Sequence, residues 1–435
     1  MTTQPTLLRL TMSCIVDIIP LEVLHEILLD AGPKGASAFS QTCRTCANGF
    51  VDAYFWRRLF CSLFDVPPIG ESYDWQGQIA RRIRAERDAA RVAEISDDEL
   101  QTVLETLIAV AGEISPESDE ASLNVEWLDS VLRKSRILDG SLPPRQSRLA
   151  DRLRAYVALS LDEETEENAG RLRLVRTQSR CFVYDLRNYS QANSWGPYLD
   201  GKVNWTHVKD VLYVVISNLR EGPEMRLPMP PHGLDSLRAY SAPGKRSPED
   251  WAGVEGTWHR YISFMDYRDL FAFNFGGALA DSHNPAFFDR IHFREATRLI
   301  QMQLHLIPRE NIQVAYNVPE PTYPDRPPLY FSGTTRGTTA PHITPTVQGV
   351  VYMDLEGNIR WKFVRAVLCT SIQMGSPQWT SEGVQLGAVG SAMGIGGNWS
   401  AWAHDRDDPV GPFWAWKVSS ATEDDITKAQ PFHGV

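Results

Sequence analysis

The feature that most restricts the fold of this chain lies between Val350 and Val364, where apolar and polar residues alternate on both sides of a Glu356-Gly357-Asn358 turn. Val351, Met353 and Leu355, then Ile359, Trp361 and Phe363, fall on one face; Tyr352, Asp354, Arg360 and Lys362 fall on the other. Side chains on a strand point alternately to opposite faces, so this pattern specifies a hairpin with one buried side and fixes its register. Phe271, Phe273 and Phe275 alternate in the same way, and short strands are expected over Glu382–Ala388, Asn398–Ala403 and Phe413–Val418. Eight of the 13 tryptophans lie beyond residue 250. Regular strands, one-sided alternation and this aromatic load predict a closed or nearly closed antiparallel barrel over residues 251–435.

Upstream, the period changes from two to that of a helix. Residues 1–70 read as a small helical unit. Ile19 precedes Pro20, which suits a first helical position, and Leu21, Val23, Leu24, Ile27 and Leu28 follow at helical spacing. Large apolar groups recur from Tyr54 to Phe64, more than a unit this small can bury alone. Residues 71–170 read as an acidic helical spacer. Of the net charge of −11, the whole is accounted for between Glu86 and Gly170, with 20 acidic and 9 basic residues. Its run Asp162-Glu163-Glu164-Thr165-Glu166-Glu167 is expected to be a solvated linker. Residues 171–250 read as a mixed linker region containing an amphipathic helix over 203–220, then a loop rich in Pro, Gly and Ser from Gly222 to Asp250. The class is α+β.

Composition removes several kinds of function. The acidic balance opposes binding to nucleic-acid phosphates. No apolar run approaches the roughly 20 residues of a bilayer span, so no membrane partner is expected. No secretory leader is evident, and six irregularly placed cysteines make no disulfide framework, so cytoplasm, nucleus or both are expected. Cys43-x-x-Cys46 lacks the second ligand pair of a zinc site. Gly390 to Gly397 is followed by strand-like sequence rather than by the helix a phosphate loop needs. Asp405-Arg406-Asp407-Asp408 runs into Pro409 and suits a turn better than a calcium loop. No Gly-x-Ser-x-Gly elbow occurs and the ten histidines are dispersed. Neither enzymatic activity nor a cofactor or metal is expected.

The block Ile19-Pro20-Leu21-Glu22-Val23-Leu24-His25-Glu26-Ile27-Leu28, followed by Phe39-Ser40-Gln41-Thr42-Cys43-Arg44 and Phe55-Trp56-Arg57-Arg58-Leu59-Phe60, resembles an F-box. The resemblance implies docking on a Skp-type adaptor, and through it on a cullin, by way of Pro20, Leu21, Leu24, Ile27, Leu28, Cys43 and Trp56. Val183–Tyr189, Phe264–Asp269 and Asp407–Trp414 resemble stretches of F-box proteins from mushroom-type fungi. Gly256-Thr257-Trp258 resembles the opening of lipocalin-type barrels. The charged and aromatic residues Trp258, Arg260, Asp266, Tyr267 and Arg268, with Trp379 and Glu382, are candidates for a barrel mouth that reads a target by charge-assisted hydrogen bonds. An internal Arg–Asp latch fixing a β corner is the structural alternative. The expected function is the substrate-recognition subunit of an SCF-type ubiquitin ligase. The alternative is a lipocalin-like protein binding a small apolar ligand, its N-terminal helices serving only to pack.

Overall fold

The structure, a computed structural model, describes residues 18–49, 52–67, 73–114, 121–140, 142–221, 227–241, 247–276, 283–290, 293, 295–321, 323–337, 345–366 and 377–420. The expected boundary loop at Gly222–Asp250 therefore lies partly outside the described residues. Pro20 opens α1 (Leu21–Asp30), which is followed by α2 (Gly32–Ser40), α3 (Arg44–Gly49), α4 (Ala53–Cys61) and α5 (Trp75–Ala89). Asp52 caps α4 by accepting the Phe55 N–H at 2.8 Å. Leu24, Leu28, Phe55, Trp56, Leu59 and Phe60 form one core with Ile79 of α5. Arg82 of α5 is buried with its guanidinium over the rings of Phe60 and Phe64, and it pairs with Glu113.

Four longer helices follow: α6 (Asp97–Gly112), α7 (Leu123–Ser135), α8 (Pro144–Val157) and α9 (Glu166–Val183). Ser96 and Glu99 form a reciprocal capping box on α6. Asp65 accepts from the Ser122 hydroxyl at 2.5 Å and the Leu123 N–H at 2.8 Å, tying the first unit to the start of α7. Of the acidic run read as a solvated linker, Asp162–Thr165 is a largely exposed connection between α8 and α9, and the last two carboxylates begin α9. Thr165 caps it, Glu166 and Glu167 occupy its first turn, and Asp162 pairs with Arg171. Carboxylates there meet the positive end of the helix dipole.

The expected helix over 203–220 is α10 (Trp205–Glu221), preceded by a short ribbon of β1 (Tyr198–Leu199) and β2 (Lys202–Val203). Its surroundings differ from a linker's. Val208, Val211, Leu212, Val214, Val215 and Ile216 are all buried, because α10 packs against α8 and α9 as well as against the barrel.

The barrel comprises β3 (Gly256–Met265), β4 (Glu295–Ile307), β5 (Leu329–Gly337), β6 (Thr346–Met353), β7 (Ile359–Ala366), β8 (Pro377–Gln385), β9 (Ile395–Ala401) and β10 (Val410–Ser419). Each strand pairs antiparallel with the next, and β10 closes on β3. The β6–β7 hairpin has the expected register, Met353 opposite Ile359 and Val351 opposite Trp361. Leu355 departs from the expected buried face: it belongs to the turn and is exposed. Phe271, Phe273 and Phe275 also depart from expectation. They lie on α11 (Tyr267–Phe275), capped by Asp266, where Phe271 and Phe275 meet as a tilted pair four residues apart and Phe273 is buried. At Gly397 a Cβ would stand 2.1 Å from the Glu382 carbonyl oxygen, which explains a glycine in the middle of β9 without any phosphate.

Contacts between non-neighbouring strands identify the interior. Trp258 of β3 meets Trp361 of β7 with ring centroids 5.2 Å apart, and Phe363 of β7 meets Phe413 of β10 at 5.8 Å. These side chains cross the lumen, which is therefore filled over much of its depth rather than open. On the outer wall, Tyr261, Val384, Leu386, Trp414 and Trp416 share a core with α6, α7, α8 and α10.

Candidate functional site

The filled interior ends at Arg260. Along β3 the inward face reads Trp258, Arg260, Ile262, Phe264, so a guanidinium replaces an apolar group in the second position. Arg260 is only 5% exposed. Its Nη2 donates to Ser381 Oγ of β8 at 2.7 Å, across the barrel, and its guanidinium lies 4.3 Å from the Phe413 ring centre and 4.9 Å from that of Phe363. Its Nε is buried and has no hydrogen-bond partner. Burial, reinforced by the nearby Arg365, pushes its pKa down to about 9.

Beyond Arg260 the barrel opens into a mouth cavity of about 470 Å³. Ile262, Phe264, Ile300, Trp379 and Trp399 supply apolar walls, and the two tryptophans meet edge to face at 5.2 Å. Arg365 enters from β7, its Nε donating to Thr335 Oγ1 at 3.4 Å, and burial lowers its pKa as well. Arg298 joins nearer the rim, over the ring of Phe264.

Of the residues proposed from sequence for target binding, Arg260, Asp266, Tyr267 and Trp379 line this cavity. The other three do not. Trp258 lies deeper, in the packed interior, donating its indole N–H to the Val254 carbonyl at 2.9 Å. Arg268 sits in the first turn of α11 at the surface, where its N–H is accepted by Asp266. Glu382 is on the outer wall of β8. It is buried, paired with Lys362 across the strands at 2.6 Å and touched by the Tyr198 hydroxyl at 3.4 Å; burial raises its pKa. Arg260 and Asp266 do not form an Arg–Asp latch with each other, since Arg260 bonds Ser381 while Asp266 caps α11. Arg365, Trp399 and Arg298 were missed. The signal for Arg365 was available: it continues the inward face Ile359, Trp361, Phe363 with a charge.

The second candidate surface is on α1. Leu21, Val23 and Ile27 are 41%, 49% and 51% exposed, and Pro20 is exposed beside them. Leu24, Leu28 and Trp56 are buried in the core of the helical unit, so they support a docking face without forming it. Cys43 is exposed. Its sulfur accepts the Cys46 N–H and lies 3.3 Å from the Cys46 sulfur, which lowers its pKa. Among the described residues no group of acidic, His or Cys side chains could hold a metal ion, and no helix is long and apolar enough to cross a membrane. Asp405 and Asp408 close a turn on themselves, and Asp407 accepts from the Tyr267 hydroxyl.

Fold and sites together define an α+β chain in which a helical array, with exposed apolar residues on its first helix, precedes a closed eight-stranded antiparallel barrel. No protein-family model, curated protein or solved structure matches the chain.

Proposed function

We propose that this chain is a non-catalytic receptor of a cullin-based ubiquitin ligase, with the N-terminal helical unit docking on a Skp-type adaptor and the barrel mouth holding the target. The observation that carries the reading is the outer side of α1: Val23 and Ile27, one turn apart, expose apolar surface away from the core that Leu24 and Leu28 close, and Leu21 is partly exposed at the start of the helix. Exposed apolar patches of this kind mark interaction sites. Such a chain makes and breaks no bonds. It raises the concentration of a target beside the transfer machinery, so its rate contribution is one of effective molarity. Against the alternative of a deep apolar-ligand lumen stands the packing of Trp258, Phe331, Trp361 and Phe413 through the interior, which confines any ligand to the mouth.

Co-purification of the full chain with a Skp-type adaptor tests the docking half. Leu21→Asp/Ile27→Asp is the informative control, because both positions are exposed and the unit should stay folded. Binding by the wild type and its loss in that variant support the reading. A folded wild-type chain that fails to retain the adaptor removes it.

A further inference from the structure

We propose that the barrel mouth is a carboxylate site, taking an apolar molecule or chain end whose terminal carboxylate is held between Arg260 and Arg365. The inference rests on the barrel alone and not on adaptor docking by α1, so the two can fail separately.

The argument begins with a charge in a place where a packed barrel has no use for one. Arg260 sits on the inward face between Trp258 and Ile262, 5% exposed, with its Nε unsatisfied. Ser381 takes one of its donors and two phenylalanine rings flank its plane, but neither supplies a negative charge. Across the barrel Arg365, half-buried, also turns a guanidinium inward, with Thr335 as its side-chain partner. Among the described residues no carboxylate acts on either guanidinium; the one charge that acts on Arg260 is Arg365, which repels it. A buried cation without a counter-ion is among the costlier arrangements a core can hold, and an apolar residue at either position would pack without that cost. Asp266, at the rim, does not supply the missing charge: its carboxylate is turned to the Arg268 N–H at the start of α11.

What the site lacks describes its ligand. A carboxylate presents two oxygens to guanidinium N–H groups in matched, charge-assisted geometry, and the free Nε of Arg260 is such a donor. Above the guanidiniums the walls are Trp379, Trp399, Ile262, Phe264 and Ile300, so the rest of the ligand is apolar. The volume of about 470 Å³ falls in the range of small-ligand pockets. Two sources carry this chemistry, a free acid and the C-terminus of a polypeptide ending in an apolar residue.

Isothermal titration of the full chain at pH 7.5 separates them. The probes are octanoate, octanol, octyl phosphate, and a pentapeptide ending in leucine as free acid and as amide. The expected result is octanoate or the free-acid peptide binding at least tenfold more tightly than its neutral counterpart. Whichever of the two binds better identifies the source, and either supports the site. Arg260→Met should abolish that preference while raising the melting temperature, since it removes an uncompensated charge; a purely structural arginine would lower the melting temperature instead. Arg365→Met, at a half-buried position, should lose at least tenfold in affinity and guards against a packing fault at residue 260. The proposal is overturned if octanol binds as well as octanoate and the amide as well as the acid, if octyl phosphate binds more tightly than either carboxylate, if both methionine variants keep wild-type affinity, or if no probe binds.

Discussion

The N-terminal helical unit and the barrel break the usual distribution of polar and apolar groups in opposite senses. On α1 the apolar side chains Val23 and Ile27 face outward, with Leu21 partly exposed at the helix start, although Leu24 and Leu28 already close the core behind them. In the barrel the cations Arg260 and Arg365 face inward, although the interior below them is apolar and packed. Each departure costs the isolated chain free energy. Each also has a simple remedy, an apolar partner for the helix and an anion for the mouth. A fold that is ordinary elsewhere therefore points to its contacts by where it violates its own rules. The two regions differ in coupling as well. The barrel wall shares a continuous core with α6, α7, α8 and α10, whereas the first unit has its own core and meets the rest chiefly where α5 packs on α6, with Phe64 against Trp127, the Asp65 cap and Arg82 beside that seam.

That difference is open to breaking by mutation, and the largest effect belongs to the barrel interior. Trp361 is fully buried against Trp258 and Phe331. Trp361→Ala should destabilise the barrel by about 3–5 kcal/mol. Because α10 is glued to the outer wall, the middle helices should melt with it. Scanning calorimetry with tryptic mapping checks this, and melting of the barrel alone would show that the shared core does not couple them.

Leu24→Ala comes next, with an expected cost of about 2–4 kcal/mol confined to the first unit. Proteolysis should then open cleavage sites in α1 to α4 while the barrel transition stays in place. If the barrel melted in step, the separation of cores would carry no thermodynamic meaning. Leu24 is consequently a poor probe of docking, since its replacement disrupts the unit as well as the face.

A smaller effect lies at the junction. His207 of α10 is buried, 3.1 Å from the Tyr189 hydroxyl and edge-on to Phe182, and burial pushes its pKa down to about 3. Between the ordinary histidine value near 6.5 and this folded value, the unfolded chain binds a proton that the folded chain does not. Stability from this residue is therefore complete above about pH 6.5 and falls as pH drops, by up to about 1.4 kcal/mol per unit, levelling off below about pH 3. The neighbouring Asp210, whose pKa is raised by burial, acts in the opposite direction. The clean reading is thus the difference between wild type and His207→Gln in urea midpoints from pH 7 to pH 4. An unchanged slope in the variant would remove His207 as the origin.

Much of this architecture was legible because period is a property of sequence. The β6–β7 hairpin, the barrel class and the position of α10 follow from spacing of two or of 3.6. The failures have equally local causes. Phe271, Phe273 and Phe275 also alternate at period two, but Asp266 caps a helix there, and Phe271 and Phe275 meet four residues apart. Glu382 looked like a mouth residue because the sequence does not say which face of β8 is inward; Ser381 turned out to be the one meeting Arg260. Arg365 and Trp399 were missed because they join Arg260 only through closure of the sheet, which brings together strands more than a hundred residues apart.

The smallest stability effect is expected where the functional effect should be greatest. Leu21 and Ile27 are partly exposed, so placing Asp at both should change stability by no more than about 0.5 kcal/mol per site. In a docked complex the same substitutions would bury two charges against an apolar surface. The comparison between the regions is sharpest here. Leu21→Asp/Ile27→Asp should leave the thermal transition and octanoate titration of the chain unchanged while removing adaptor retention. Arg260→Met should do the reverse, leaving adaptor retention intact and erasing the carboxylate preference. If either variant abolished both activities, the outward apolar face and the inward cations would belong to one coupled site. Two clean, opposite losses would show that the helical unit and the barrel mouth each hold a separate partner.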